Sequence, residues 1–159
     1  MAYDRAKAVF YAHKWAYGRN PRYMNFTGLG GDCTNFISQC LHAGGARMNY
    51  TPTFGWYYNS SADRAPAWTG VQYLYNFLTG NKGVGPFAEE ISMADIMPGD
   101  VIQLSFRRDI FSHTLLVVKT GSRPTLNSIL IATHSDDSDY RPLSTYRALA
   151  RRFLRIDCR

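Results

Sequence analysis

The stretch Gly30-Gly31-Asp32-Cys33-Thr34-Asn35-Phe36-Ile37-Ser38-Gln39-Cys40-Leu41 reads as a glycine-rich approach, an N-cap and an amphipathic helix, closed by Gly44-Gly45. Asp32 suits the N-cap because its carboxylate can accept from the unpaired N–H groups of the first turn. Cys33 then takes the first helical position, where the positive helix end favours thiolate over thiol. Phe36, Ile37, Cys40, Leu41 and Gly44 make one helical stripe, and counting back three and four residues places Cys33 on it. The thiol therefore faces the protein body at a helix end. Such a cysteine is either a structural thiol or a nucleophile whose base lies elsewhere in the chain.

On the N-terminal side, periodicity predicts a helix over 3–18, with Ala6, Val9, Phe10, His13, Ala16 and Tyr17 buried and Gly18 with Asn20-Pro21 ending it. His13 reads as a satisfied core histidine and 19–31 as an irregular connection. On the C-terminal side the pattern disappears over 46–68, a segment dense in aromatics. Loops of that length are usually functional, so Trp56, Tyr57 and Trp68 are candidates for a substrate groove, with a hydrophobic cluster under the loop as the alternative. A helix over 70–79 follows, capped by Thr69 and striped by Val71, Leu74, Tyr75 and Leu78. Segment 80–98 reads as loop with one helical turn near 93–97. Strands are then expected over 101–106, 113–120 and 127–135, with Phe153 to Ile156 as the last. The unbroken Leu115-Leu116-Val117-Val118 implies burial on both faces. Helices first and strands second make an α+β fold, a helical layer on an antiparallel sheet, in one domain over 1–159.

The expected strands supply histidines. If 113–120 and 127–135 pair as a hairpin about Arg123-Pro124, Val117 faces Leu130, Leu115 faces Ala132 and His113 faces His134. Directly opposed residues have Cβ atoms ~5 Å apart. With the stripe of the cysteine helix on that sheet, Cys33, His113 and His134 become nucleophile, base and orienter of a cysteine hydrolase. The Cys33 N–H would be one oxyanion donor; no second donor stands out. Asp136, two residues past His134, is the alternative third member.

Composition bounds the partners. The 159 residues carry a net charge of +6, with 45% hydrophobic and 19% charged residues, values of a globular chain. Arginine supplies 14 of the 18 basic residues, and five arginines fall in 147–159. That cluster suits an anionic polymer, or it is a solvated edge strand or helix face. Cys33 and Cys40 are seven apart on one helix, ~10 Å along its axis, too far for a disulfide. No CxxC or CxxH pair exists, so neither a zinc site nor any cofactor is expected. No apolar run approaches the ~18–20 residues of a membrane span, and the first residues do not read as a signal peptide.

The segments GGDCTNFISQCLHAGG, HTLLVV and ATHS, with the opening YDRAKAVFYAHKWAYGRNPRYMNF, resemble the putative amidase domain family. That family, found mainly in bacteria, is related to the NlpC/P60 and CHAP peptidases of the papain-like superfamily. NlpC/P60 domains carry an Asp-Cys pair opening a helix, a His starting a strand and a polar residue, often His, on the next strand. Asp32-Cys33, His113 and His134 match those positions, while CHAP-type domains, which often place an acid or amide third, keep Asp136 in play. The resemblance implies a papain-like fold and amide hydrolysis, often in cell-wall peptides. It also implies a secreted or cell-surface bacterial setting, with a cytoplasmic one left open. A non-catalytic module binding cell wall or nucleic acid and a transacylase are the other readings.

Overall fold

The computed structural model describes residues 2–159. Four helices, α1 (Arg5–Trp15), α2 (Cys33–Ala43), α3 (Pro66–Thr69) and α4 (Val71–Gly80), accompany eight strands. A two-stranded hairpin, β1 (Tyr58–Ser60) and β2 (Asp63–Arg64), lies before α3. The main sheet holds β3 (Pro86–Ile91), β4 (Val101–Arg107), β5 (Ile110–Lys119), β6 (Leu130–Thr133), β7 (Ser138–Pro142) and β8 (Ala150–Cys158). Its order is β3-β8-β4-β5-β6-β7, with every pair antiparallel. The fold is α+β, as expected.

Strand alternation divides the core by sheet face. Leu116 and Val118 of β5, Ala132 of β6 and Leu154 and Ile156 of β8 join the helices in one cluster. Leu115 and Val117, with Ile102, Leu104, Ile131, Leu143 and Tyr146, form the other. The doubly buried β5 is therefore found.

Helix α2 is the centre of the helical layer. Cys33 to Leu41 are all buried, so the stripe read from spacing is only the sheet-facing part of a helix enclosed all round. Its C-terminal Gly44 lies under Tyr3, where a Cβ would come within 2.5 Å of the ring. The stripe on α1 is corrected. Ala8, Ala12 and Ala16 are the fully buried positions, while Phe10 and Tyr17 are 71% and 70% exposed. Small residues let α1 pack close to α2, which outweighs the larger apolar residues one or two positions away. Asp4 caps α1, accepting from the Lys7 N–H at 3.0 Å. His13 is half-buried on α1, with Nδ1 2.7 Å from Asp139 and its ring stacked on Tyr140. Thr69 is not the cap of α4; it ends α3, and Gly70 stands at the α4 N-cap without a side-chain bond.

A buried carboxylate ties the layers together. Asp100 accepts from Arg5 at 2.7 Å, Arg155 at 3.2 Å, and the N–H groups of Met97 and Ile156 at 3.1 and 3.0 Å. Strand β8 lies inside the sheet, so the C-terminal arginines do not decorate an edge. Arg152 and Arg155 are held by internal hydrogen bonds.

Candidate functional site

Cys33 opens α2, as the spacing predicts, and is 6% exposed. Its thiol sits 3.8 Å from Thr34 Oγ1 and against the backbone N–H of Thr114 on β5. The position has a topological cause. Strand β6 ends at Thr133, whose hydroxyl donates to Thr114 O at 2.9 Å. Beyond that point β5 has lost its neighbour on this side, and the thiol meets the freed N–H. Burial pushes the thiol above its ordinary value and outweighs the hydrogen bonds from Thr114 and Thr34 that act the other way. The expectation of a resting thiolate is thus corrected: desolvation outweighs the helix end.

A chain of polar groups fixes this helix end. Thr34 Oγ1 and Thr114 Oγ1 are 2.9 Å apart, and Gln103 Nε2 donates to Thr114 Oγ1 at 3.3 Å and to Val71 O at 3.0 Å. Arg152 donates to Gln103 Oε1 through Nε and Nη2 at 2.9 and 2.6 Å. The chain runs from α2 through β5 and β4 to β8, with Thr34, Thr114 and Gln103 fully buried. Nothing in spacing or periodicity points to it.

His113 and His134 are not side by side. Leu116, not Leu115, faces Ala132. A slip of one residue sends a side chain to the other face of the sheet. His113 shares the face of Leu115 and Leu104 and lies 5.7 Å from the Tyr146 ring, while His134 stacks on Phe36 of α2 at 3.9 Å. The turn is not symmetric about Arg123-Pro124: Lys119 pairs with Leu130, two residues off that symmetry, and the irregularity between Val117 and Lys119 takes back one, leaving Val117 on Ile131. Among the described residues, no hydrogen bond joins His113 to either Cys33 or His134. His113 is 9% exposed. Burial, with help from Arg141, lowers its pKa from 6.5 to about 4, and Asp136 opposes them.

Asp32 precedes α2 but makes no side-chain cap. Its Oδ2 lies 2.5 Å from His134 Nδ1, and its Oδ1 accepts from the Phe26 N–H at 2.8 Å and Asn35 Nδ2 at 3.0 Å. Burial pushes this carboxyl up, but those hydrogen bonds together outweigh it and leave it below its ordinary value. His134 Nε2 meets Trp15 O at 2.8 Å and Arg19 Nη1 at 3.2 Å. Arg19 also grips Asp137 through two bonds of 2.9 and 3.0 Å. Both nitrogens of His134 are thus engaged away from His113. Gly31, at φ +99°, brings the chain into Asp32 with Ser135 Oγ 3.6 Å from where a Cβ would stand.

Asp136 does not continue the strand. Ser135 and Asp136 both have positive φ, +66° and +62°, the conformation of a tight hairpin tip. The Asp136 side chain is exposed and pairs with Arg141 at 3.2 Å. Arg141 in turn lies over the Tyr146 ring at 3.9 Å. The Tyr146 hydroxyl is buried beside the Ser138 side chain. Burial raises its pKa, and Asp136 and the Cys33 thiol add to that effect. Tyr146 and Arg141 escaped the sequence reading because neither belongs to a periodic segment.

Trp56 and Trp68 are fully buried and do not line a groove. Their rings are 4.7 Å apart, and each indole N–H donates to α2, to Ser38 Oγ and Asn35 Oδ1 at 3.0 Å. Tyr57 is half-buried and stacks on Tyr50 at 5.4 Å. The aromatic loop is largely the cluster offered as its alternative reading. Among the described residues, no group of three or more His, Cys, Asp or Glu is placed to hold a metal ion, and no helix is long and apolar enough to cross a membrane.

The chain is 37% identical over 155 residues to the uncharacterized protein YhbB of Bacillus subtilis (strain 168), covering 91% of this chain and 49% of YhbB. It thus spans about half the length of that relative. No solved structure matches it. The family described as "Putative amidase domain" matches residues 2–156, nearly the whole chain, and takes in the cysteine helix and the strands that meet it; this protein belongs to that family.

Proposed function

We propose that the chain is a cysteine-dependent amidase of papain-like type, acting through a thioester at Cys33. The observation that carries this reading is the Cys33 thiol at the N-terminus of the central helix, against the Thr114 N–H where β6 has ended, next in sequence to His113. Family membership supplies the reaction class, cleavage of a C–N bond.

At neutral pH the resting pair is thiol and neutral imidazole, since burial raises the first and lowers the second. His113 takes the Cys33 proton as sulfur attacks the substrate carbonyl carbon, forming the C–S bond. The Cys33 N–H, at the helix N-terminus, faces the developing oxyanion. The buried Tyr146 hydroxyl, beside Ser138, is the candidate second donor. His113 then gives its proton to the leaving amine as the C–N bond breaks. Water, deprotonated by His113, hydrolyses the thioester and restores the thiol. Asp136 opposes the depression of the His113 pKa and so favours the imidazolium during this cycle. His134 is a positioning residue, holding Asp32 and hence the backbone that presents Cys33.

The substrate we propose is an amide within a peptide, cell-wall stem peptides included, and the net positive charge is compatible with an anionic wall. A panel of peptide amides and a purified wall digest, read by mass spectrometry for released amine, tests the reading. Wild type should release amine. Cys33→Ala should be at least about a thousandfold slower, with its thermal midpoint nearly unchanged. A folded Cys33→Ala variant with full activity would remove the cysteine from the mechanism. Amine-dependent product formation in the same panel would instead identify a transacylase.

A further inference from the structure

At the far end of α2 from the thiol, nine residues and about 14 Å along the helix axis, a cavity of about 540 Å³ opens beside His42. Arg22, from the connection after α1, and Arg47, from the loop after α2, both line it. Tyr23, Tyr50 and Tyr58 supply aromatic walls. None of the described residues lining it is acidic, and among the described residues neither guanidinium has a hydrogen-bond or ion-pair partner. Arg5 and Arg155 are by contrast engaged on Asp100, and Arg19 on Asp137. Two guanidiniums without an acidic partner on the wall of one hollow make it attractive to an anion.

The walls are already in place. Tyr23 and Tyr58 pack with centroids 5.1 Å apart, and the Tyr58 hydroxyl accepts from the Met24 N–H at 2.9 Å. Tyr50 is stacked on Tyr57 and donates to Met48 Sδ at 3.2 Å. The His42 ring is fixed by its Nδ1 contact with Ala46 O at 2.9 Å. Preset rings and free cationic arms suit a ligand with a flat or apolar body and an anionic group. The volume lies in the usual range for small-molecule sites, and guanidinium forks match carboxylate and phosphate alike.

We infer that this cavity is a binding site, separate from the cysteine, for a small anion whose carboxylate or phosphate is carried on a ring. Arg22 and Arg47 would hold the anionic group, and the tyrosines would take the ring. The site does not depend on the amidase reading, and its test does not use catalysis.

Isothermal titration of the full chain with phenyl phosphate, benzoylglycine and the uncharged benzamide tests it. At low salt at least one anion should bind with a Kd of about 1 mM or tighter, with benzamide much weaker. The tighter of the two anions tells phosphate from carboxylate. Arg22→Ala and Arg47→Ala, both surface changes, should each weaken binding by about tenfold or more, the loss of a charge-assisted hydrogen bond. Cys33→Ala should bind as wild type does. No saturation by either anion up to about 10 mM, equal binding of benzamide, or unchanged affinity in the double arginine variant would each overturn the proposal.

Discussion

At the residue scale, two histidines that looked alike in sequence have opposite environments. His134 is pinned between Asp32, Trp15 and Arg19, whereas His113 is buried beside Tyr146 and Arg141 with no hydrogen bond to its ring among the described residues. The low pKa of His113 gives a pH signature. An unfolded histidine takes a proton near 6.5, the folded one only near 4. The folded state therefore keeps its full stability above about 6.5 and loses it as pH falls towards 4, by about 3 kcal/mol in all. Denaturant melts of wild type and His113→Gln between those pH values should show a steeper loss of stability in wild type than in the variant. Asp32 contributes in a separate window: its carboxyl is depressed, so its share is lost only as pH falls below the ordinary carboxylate range. The Asp32–His134 pair is best measured by a double-mutant cycle. Asp32→Ala and His134→Ala should each destabilise by several kcal/mol, and their coupling should exceed about 1 kcal/mol. Additive effects would mean that the contact does not hold the helix entry. Asp32 was legible as the residue before the helix, but its partner was not, because a carboxylate at an N-cap position points to its own backbone until a distant ring claims it.

At the element scale, what was legible followed periodicity and what was missed lacked it. The cysteine helix, α4, β4 and β5 carry strong apolar patterns and lie where they were expected. Strand β3 (PFAEEI) falls in the segment read as loop, and β7 (SDYRP) in a stretch to which no strand is assigned. They are the two edges of the sheet, where a strand pairs on one side only and tolerates proline and charge. Missing β7 also hid the hairpin tip at Ser135-Asp136 that lifts Asp136 out of the strand. The register error starts at the turn: closure symmetric about Arg123-Pro124 is the simplest, but Lys119 pairs with Leu130, two residues off it, and the irregularity between Val117 and Lys119 takes back only one. Asp100 shows what joins the elements once placed. It links α1, through Arg5, to β8, through Arg155 and the Ile156 N–H. Asp100→Ala should cost about 3–5 kcal/mol, because two partly buried guanidiniums and two N–H groups lose one shared acceptor. A loss under about 1 kcal/mol in a denaturant melt would show that water replaces it freely.

At the scale of the whole molecule, the sheet has a core on each face, and Cys33 stands where strand pairing stops between them. The thiol on the helical side thereby meets the N–H of Thr114, the residue after His113, a contact that alternation along a single strand could not anticipate. All three cysteines are buried thiols, and Cys33 and Cys158 are similarly screened, 6% and 8% exposed. Of the three, Cys33 alone stands at a helix N-terminus, against the N–H of the residue that follows His113, and the proposed mechanism makes it alone the nucleophile. Acyl transfer from p-nitrophenyl acetate, quenched in acid and mapped by peptide mass spectrometry, isolates that difference without knowledge of the natural substrate. The acetyl group should appear on Cys33 well ahead of Cys158, and His113→Ala should slow its arrival by about a hundredfold or more. Acetylation of Cys158 at an equal rate, or of Cys33 at a rate indifferent to His113, would contradict a cysteine–histidine amidase.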